Sequence, residues 1–173
     1  MPVETPGARA GVRAALAAFR RLPAPLRRGA VRAATPSYTV GAVLAVVSAG
    51  DYLLLRQHHR PDWSLPGGLL ERGEHAADGV VREVREELGL AVEVGAPATV
   101  VVDPGLRRVD VVYRLEVADR RGVEAGLEPG TEVAGHRWAP ASALGPQDEP
   151  TRAILRALEA ALAPDAGRGR LLG

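Results

Sequence analysis

Three glutamates, Glu83, Glu86 and Glu87, crowd one short segment, VVREVREELGL at residues 80–90. On a helix at about 100° per residue they share one arc. Val80, Val81, Val84 and Leu88 fall in the neighbouring arc of roughly 100°, the width of a core-facing stripe. The acids therefore flank the buried edge, while Arg82 and Arg85 point further round. Glu83 and Glu87 are like charges at i,i+4, and Glu83 and Glu86 at i,i+3; each pair destabilises a helix by about 0.2–0.5 kcal/mol. They also lie near the helix C-terminus, where the macrodipole disfavours anions. Arg82 reaches Glu86 one turn on, but one guanidinium does not neutralise three carboxylates. A hard divalent cation does: magnesium takes oxygen ligands and keeps waters and substrate phosphates in its shell. The competing explanation is a solvated acidic face, which is what most acidic runs are.

The loop before this segment separates the two explanations. Leu65-Pro66-Gly67-Gly68 precedes Leu69-Leu70-Glu71-Arg72-Gly73-Glu74, and glycines let a ligand approach the backbone closely. Gly68, Glu74, Arg82, Glu83, Val84, Glu86, Glu87, Gly89 and Leu90 fill the pattern G-x5-E-x7-R-E-(apolar)-x-E-E-x-G-(apolar) without a mismatch. This span resembles the Nudix box, the signature of the Nudix hydrolase family. The wider resemblance runs from about Thr39 to Leu162.

Such enzymes cleave a diphosphate linkage in a nucleoside diphosphate joined to another group. The resemblance implies that Glu83, Glu86 and Glu87 bind Mg²⁺ or Mn²⁺, that Glu74 is a further metal carboxylate, and that Arg82 orients the glutamates. The bound cations would screen phosphate charge and lower the pKa of an attacking water. The general base is a box glutamate or one from a loop, where Glu132, six residues before Trp138, is the candidate. Two substrate classes stay open. Arg56-Gln57-His58-His59-Arg60-Pro61, followed by Trp63, is similar to the lead-in of ADP-ribose pyrophosphatases, and Pro104 stands near a proline of that subgroup. Gly67-Gly68 instead suits members that clean oxidised nucleoside triphosphates, and Asp148 lies where those place a base-reading residue, or else caps the last helix. Arg107 and Arg108 are phosphate candidates of which a strand can present only one, with solvated arginine the safer expectation. Gly79, one turn before Glu83, is expected to give a substrate room, and His75 to be a partly exposed loop histidine. A non-catalytic nucleotide sensor is the rival from another class.

These residues need elements to position them. Thr39–Ser48 reads as a buried strand, Tyr52–Arg56 as its antiparallel return, and Trp63–Leu65 as a short strand. Ala76–Leu88 is a helix ended by Gly89 as a left-handed cap. Val92–Val102 and Arg108–Val117 read as strands around the turn Asp103-Pro104-Gly105. Another strand ends at Arg137-Trp138, and Thr151–Leu162 is a closing helix. The interleaving predicts an α+β fold, a mixed sheet with helices packed on it, and the resemblance implies a Nudix-type α/β/α sandwich. Residues 1–36 form a basic helical extension, with helices over 8–22 and Leu26–Ala34, residues 37–163 the Nudix domain, and 164–173 a flexible tail.

Composition sets the outer bounds. The chain has 173 residues, a net charge of +1, no cysteine and no lysine. Disulfides and thiolate chemistry are thereby excluded. The longest apolar run, Val40 to Val47, is too short to span a bilayer, which needs about 20 residues, so a cytoplasmic protein is expected. The extension carries seven arginines against Glu4 alone, yet with only Phe19 it lacks the aromatics of a nucleic-acid stacking platform. Packing on its own domain, or on a second subunit in a homodimer, is the preferred role. The expected partner is a nucleotide-derived small molecule, with no nucleic acid.

Overall fold

The computed structural model describes residues 17–163. The chain divides into two compact units at Ser37–Tyr38. In the first, residues 17–21 are helical (α1), and helix α2, Ala24–Ala34, carries exposed Leu26 and Val31 and buries nothing. The rest of the expected 8–22 helix and the 164–173 tail lie outside the described residues.

The second unit is built on a seven-stranded mixed sheet. Strand β1, Thr39–Ser48, is its spine, with eight consecutive buried residues from Gly41 to Ser48. Only a strand covered on both faces reads as such an unbroken apolar run. Along one edge it pairs in parallel with β6, Arg108–Glu116, which pairs antiparallel with the edge strand β5, Thr99–Asp103. The other edge is shared. Near its end, Val47 and Ser48 pair with Tyr52 and Asp51 of β2, Asp51–Gln57. Near its start, Gly41, Ala42 and Val43 pair with β4, Gly67–Leu69. Strand β2 also pairs with β3, Trp63–Ser64, and with β7, Val133–Ala139.

Side-chain alternation sorts the core into two layers. Ala42, Leu44, Val46, Leu53 and Leu55 face helix α3, Ala76–Leu88, through Val80, Val84 and Leu88. Val43, Ala45, Val47 and Leu54 face helix α5, Glu149–Leu162, through Ile154, Leu155 and Leu158. The result is the α/β/α sandwich implied by the sequence.

Three local expectations are corrected. The strand expected over 92–102 begins only at Thr99, because Gly95 favours irregular backbone and Pro97 has no N–H to donate to a ladder. Gly67–Leu69, read as loop, is strand β4. The short helix α4, Arg120–Ala125, was not foreseen; the Asp119 side chain caps it by accepting from the Gly122 N–H at 3.0 Å. Helix α3 has the expected bounds and cap, with Gly89 at φ 70°.

Candidate active site

Helix α3 and strand β4 meet at the Gly67–Gly68 pair. Gly67 has φ +134°, and a Cβ on it would overlap the Ala42 carbonyl oxygen. No other residue fits there. The Gly67 N–H donates to Glu87 Oε2 at 2.8 Å, and the Gln57 amide donates to Glu87 Oε1 at 2.7 Å. At Gly68 a Cβ would fall on the Glu83 carboxylate. The glycines thus act as a floor on which two of the three helix acids rest.

Arg82 organises the others. Its Nε and Nη2 donate to the two oxygens of Glu74 at 2.9 and 3.0 Å, and its Nη1 donates to Glu83 at 3.0 Å and Glu86 at 3.2 Å. The hydrogen bond from Arg82, with another from the Glu71 N–H, holds the Glu74 carboxyl down at about 2. The hydrogen bonds to Glu74 and Glu83 push the Arg82 pKa upward. Glu87 goes the other way. Burial raises its carboxyl to about 7, partly offset by the Gly67 and Gln57 hydrogen bonds and reinforced by the charges of Glu83 and Glu132.

A cavity of about 550 Å³ opens over this floor. Gly67, Gly68, Glu83, Glu86, Glu87 and Glu132 all line it. Glu132 is carried by the loop before β7, which is clamped from two sides. The Gly130 N–H donates to the Glu87 carbonyl at 3.0 Å, and the His58 N–H donates to the Glu132 carbonyl at 3.0 Å.

Other expected site residues are not at the cavity. Glu74 is engaged by Arg82. Arg56 lies over the Trp63 ring, 5.4 Å from its centroid. Pro104 sits in its turn, although its neighbours Asp103 and Leu106 do reach the cavity. Asp148 is fully buried; its oxygens accept from the Trp63 N–H at 2.7 Å and the Gly145 N–H at 2.8 Å. It ties β3 to the start of the last helix and makes no side-chain cap hydrogen bond to α5. Gly79 is corrected too. A Cβ there would meet Leu70 Cδ2 at 2.5 Å and Glu74 at 3.0 Å, so its space is taken by the loop, not by a ligand. His75 is exposed and makes no cap hydrogen bond, as expected of a loop histidine.

Sequence reasoning gave no role to Gln57 and Asp110, and it left Arg108 as one of two phosphate candidates with solvated arginine the safer expectation. Arg108 and Asp110 line the cavity, paired at 2.7 Å. Their signal was an opposite-charge i,i+2 pair, which a strand puts on one face. Arg107, exposed and in a left-handed conformation at φ 49°, does not line the cavity.

Among the described residues, no cluster of three His, Asp or Glu side chains stands ready to hold a metal ion. The donor set nonetheless fits a hard cation: Glu83, Glu86 and Glu87 offer only carboxylate oxygens to one cavity, and Glu86, at 60% side-chain exposure, is free to swing in. The cavity carries six carboxylates against the guanidiniums of Arg60 and Arg108. Without added positive charge it repels a polyanion.

An acid helix seated on a glycine floor, packed on one face of a mixed sheet covered on both sides, defines this α/β/α domain. The NUDIX domain family model matches residues 38–160, and the chain belongs to the Nudix family. It is 32% identical over 102 residues to a Bacillus subtilis (strain 168) protein whose name gives it as a candidate 8-oxo-dGTP diphosphatase, covering 58% of this chain and 66% of that one. It is 35% identical over 100 residues to a MutT-like protein of Streptomyces ambofaciens, covering 57% and 64%. The matches thus span slightly under two thirds of these relatives. A solved MutT Nudix hydrolase from Burkholderia pseudomallei aligns with TM-score 0.55 at 29% identity, over 72% of this chain and 98% of that one. Among the described residues, no helix is long and apolar enough to cross a membrane.

Proposed function

We propose that the chain is a metal-dependent pyrophosphohydrolase that cleaves the diphosphate linkage of a nucleoside diphosphate derivative, of the ADP-ribose or nucleotide-sugar type. The observation that carries this reading is the convergence of Glu83, Glu86, Glu87 and Glu132 on one cavity floored by Gly67 and Gly68. Glu83, Glu86 and Glu87 would hold Mg²⁺ or Mn²⁺. When bound, the cation neutralises phosphate charge and makes water a better nucleophile near neutral pH.

The chain's own residues do the rest. Arg82 orients Glu83 and Glu86; Gly67 and Gln57 orient Glu87. Glu132, on the facing loop, accepts the proton of the water that attacks phosphorus. The new P–O bond forms as the bridging P–O bond breaks, and the leaving phosphate takes the electron pair. Catalysis is then mainly positioning and charge compensation.

Nucleoside triphosphate cleavage is the second reading, favoured by the MutT-type names of the sequence relatives. Of the residues that pointed to either class from sequence, Arg56, Pro104 and Asp148 do not line the cavity, and Gly67 and Gly68, which do, seat Glu87 and Glu83 whichever class is bound, so none of them separates the two. A hydrolysis screen does. ADP-ribose, nucleotide sugars, and normal and oxidised triphosphates are incubated with the protein and Mg²⁺ or with EDTA, and products are resolved by chromatography. Mg²⁺-dependent release of a nucleoside monophosphate from ADP-ribose or a nucleotide sugar supports the proposal. Release of pyrophosphate from triphosphates supports the second reading. Binding without turnover of any of them leaves a sensor instead.

A further inference from the structure

The cavity wall beyond Gly68 carries a group that the hydrolytic machinery does not use. Arg108 Nε donates to both oxygens of Asp110, at 2.8 and 2.9 Å, and Nη2 lies 2.7 Å from Oδ1. Asp110 is almost wholly buried, with its carboxylate committed to this one partner. A guanidinium has five N–H donors, so Nη1 and one hydrogen of Nη2 are left over. Arg108 retains 28% side-chain exposure and lines the cavity.

Gly41 makes the arrangement possible. A Cβ there would lie 2.8 Å from Asp110 Oδ1, 2.9 Å from the Gly68 carbonyl oxygen and 3.0 Å from Arg108 Nη2. The guanidinium therefore rests against bare backbone, next to the same Gly68 whose other flank holds the Glu83 carboxylate. One glycine separates the acid cluster from a fixed set of free N–H donors. Arg60, the other cationic residue at the cavity, is paired with Asp62 at 2.9 Å and is more exposed, at 40%.

Asp110 cancels much of the charge of Arg108, so long-range attraction is not what the pair supplies. It supplies direction. A guanidinium fixed by a carboxylate on one side presents its remaining donors as a fork, which matches two oxygens of one phosphoryl group. We infer that Arg108 receives the phosphoryl group of the diphosphate that the acid helix does not hold, with Asp110 and Gly41 as its positioning residues. This rests on the diphosphate reading above and assigns the second half of the anion to this side of the cavity.

The test is titration calorimetry with pyrophosphate in Mg²⁺ buffer, so that no base or sugar contributes. Arg108→Ala is expected to weaken pyrophosphate binding by about 10- to 100-fold, the range for a charge-assisted hydrogen-bonded pair. Arg108→Lys keeps the charge but not the fork, and is expected to lose about fivefold or more. Asp110→Asn leaves Arg108 in place with looser orientation; its KM for nucleotide should rise while kcat changes little. Should Arg108→Ala fail to fold, Arg108→Lys still decides the matter. Wild-type affinity in the folded Arg108 variants, or no pyrophosphate uptake by the unaltered protein, would overturn the inference. Uptake through Arg108 without nucleotide turnover removes the hydrolase reading alone, and turnover with unaltered affinity in both variants removes the Arg108 site alone.

Discussion

Burial holds the Glu87 carboxyl at about 7, against 4.5 for the unperturbed group, because its charged form has lost water that Gly67 and Gln57 only partly replace. A carboxyl raised in the folded state contributes stability that is complete below the unfolded value and disappears as pH rises through the folded one. For the cation-free protein this predicts a loss of about 3 kcal/mol between pH 4.5 and about pH 8, from a shift of that size. Denaturant unfolding in EDTA across that interval measures it. Glu87→Gln should flatten the dependence, and an equally steep curve in that variant would assign it to another group. Glu86 lies at the opposite extreme, with its carboxylate largely in water. Glu86→Gln should therefore change stability by no more than about 0.5 kcal/mol. On the proposed reading Glu86 holds the cation, and losing one such carboxylate from a step in which the metal contributes several kcal/mol lowers kcat by about 100-fold or more. Steady-state kinetics beside a thermal melt separates the two effects, and near-normal turnover in a folded variant would count against Glu86 as a ligand.

Helix α3 was legible to the residue because its signals are local: a 3.6-residue apolar period, a run of acids beside it and Gly89 at the end. Strand β4 was not, because three residues with two glycines have no strand propensity and acquire their conformation from the β1 edge. Gly79 shows the same limit within a helix. By propensity, Gly79→Ala should stabilise α3 by about 1 kcal/mol. Its surroundings reverse the sign, because the added methyl would meet Leu70 and the Glu74 carboxylate that anchors Arg82. Overpacking of this kind destabilises by roughly 1–3 kcal/mol. The expected outcome is a lower melting temperature together with reduced turnover, since displaced Glu74 releases Arg82 from Glu83 and Glu86. A variant that is more stable and equally active would restore the helix-propensity argument and show that the loop yields.

At the scale of the molecule, legibility failed where a side chain's role depends on segments far apart in sequence. Asp148 looked like a specificity residue, yet it spans 85 positions to hold Trp63. The sequence could not choose between Arg107 and Arg108, and it is Arg108, set against Gly41 and Asp110, that lines the cavity. The i,i+2 spacing of Arg108 and Asp110 is local, but their setting against Gly41 comes from the parallel pairing of β1 with β6, which puts Gly41 opposite Asp110. Among the described residues, both core layers are closed by residues from Ala42 to Leu158. Residues 38–163 expressed alone are therefore expected to fold cooperatively, to melt within about 5 °C of the full chain and to keep its Mg²⁺-dependent turnover. A difference of that size corresponds to about 1–2 kcal/mol for a domain of this length. Circular dichroism and the hydrolysis assay on the two chains decide it. An insoluble or inactive 38–163 fragment would mean that the arginine-rich segment completes the catalytic unit.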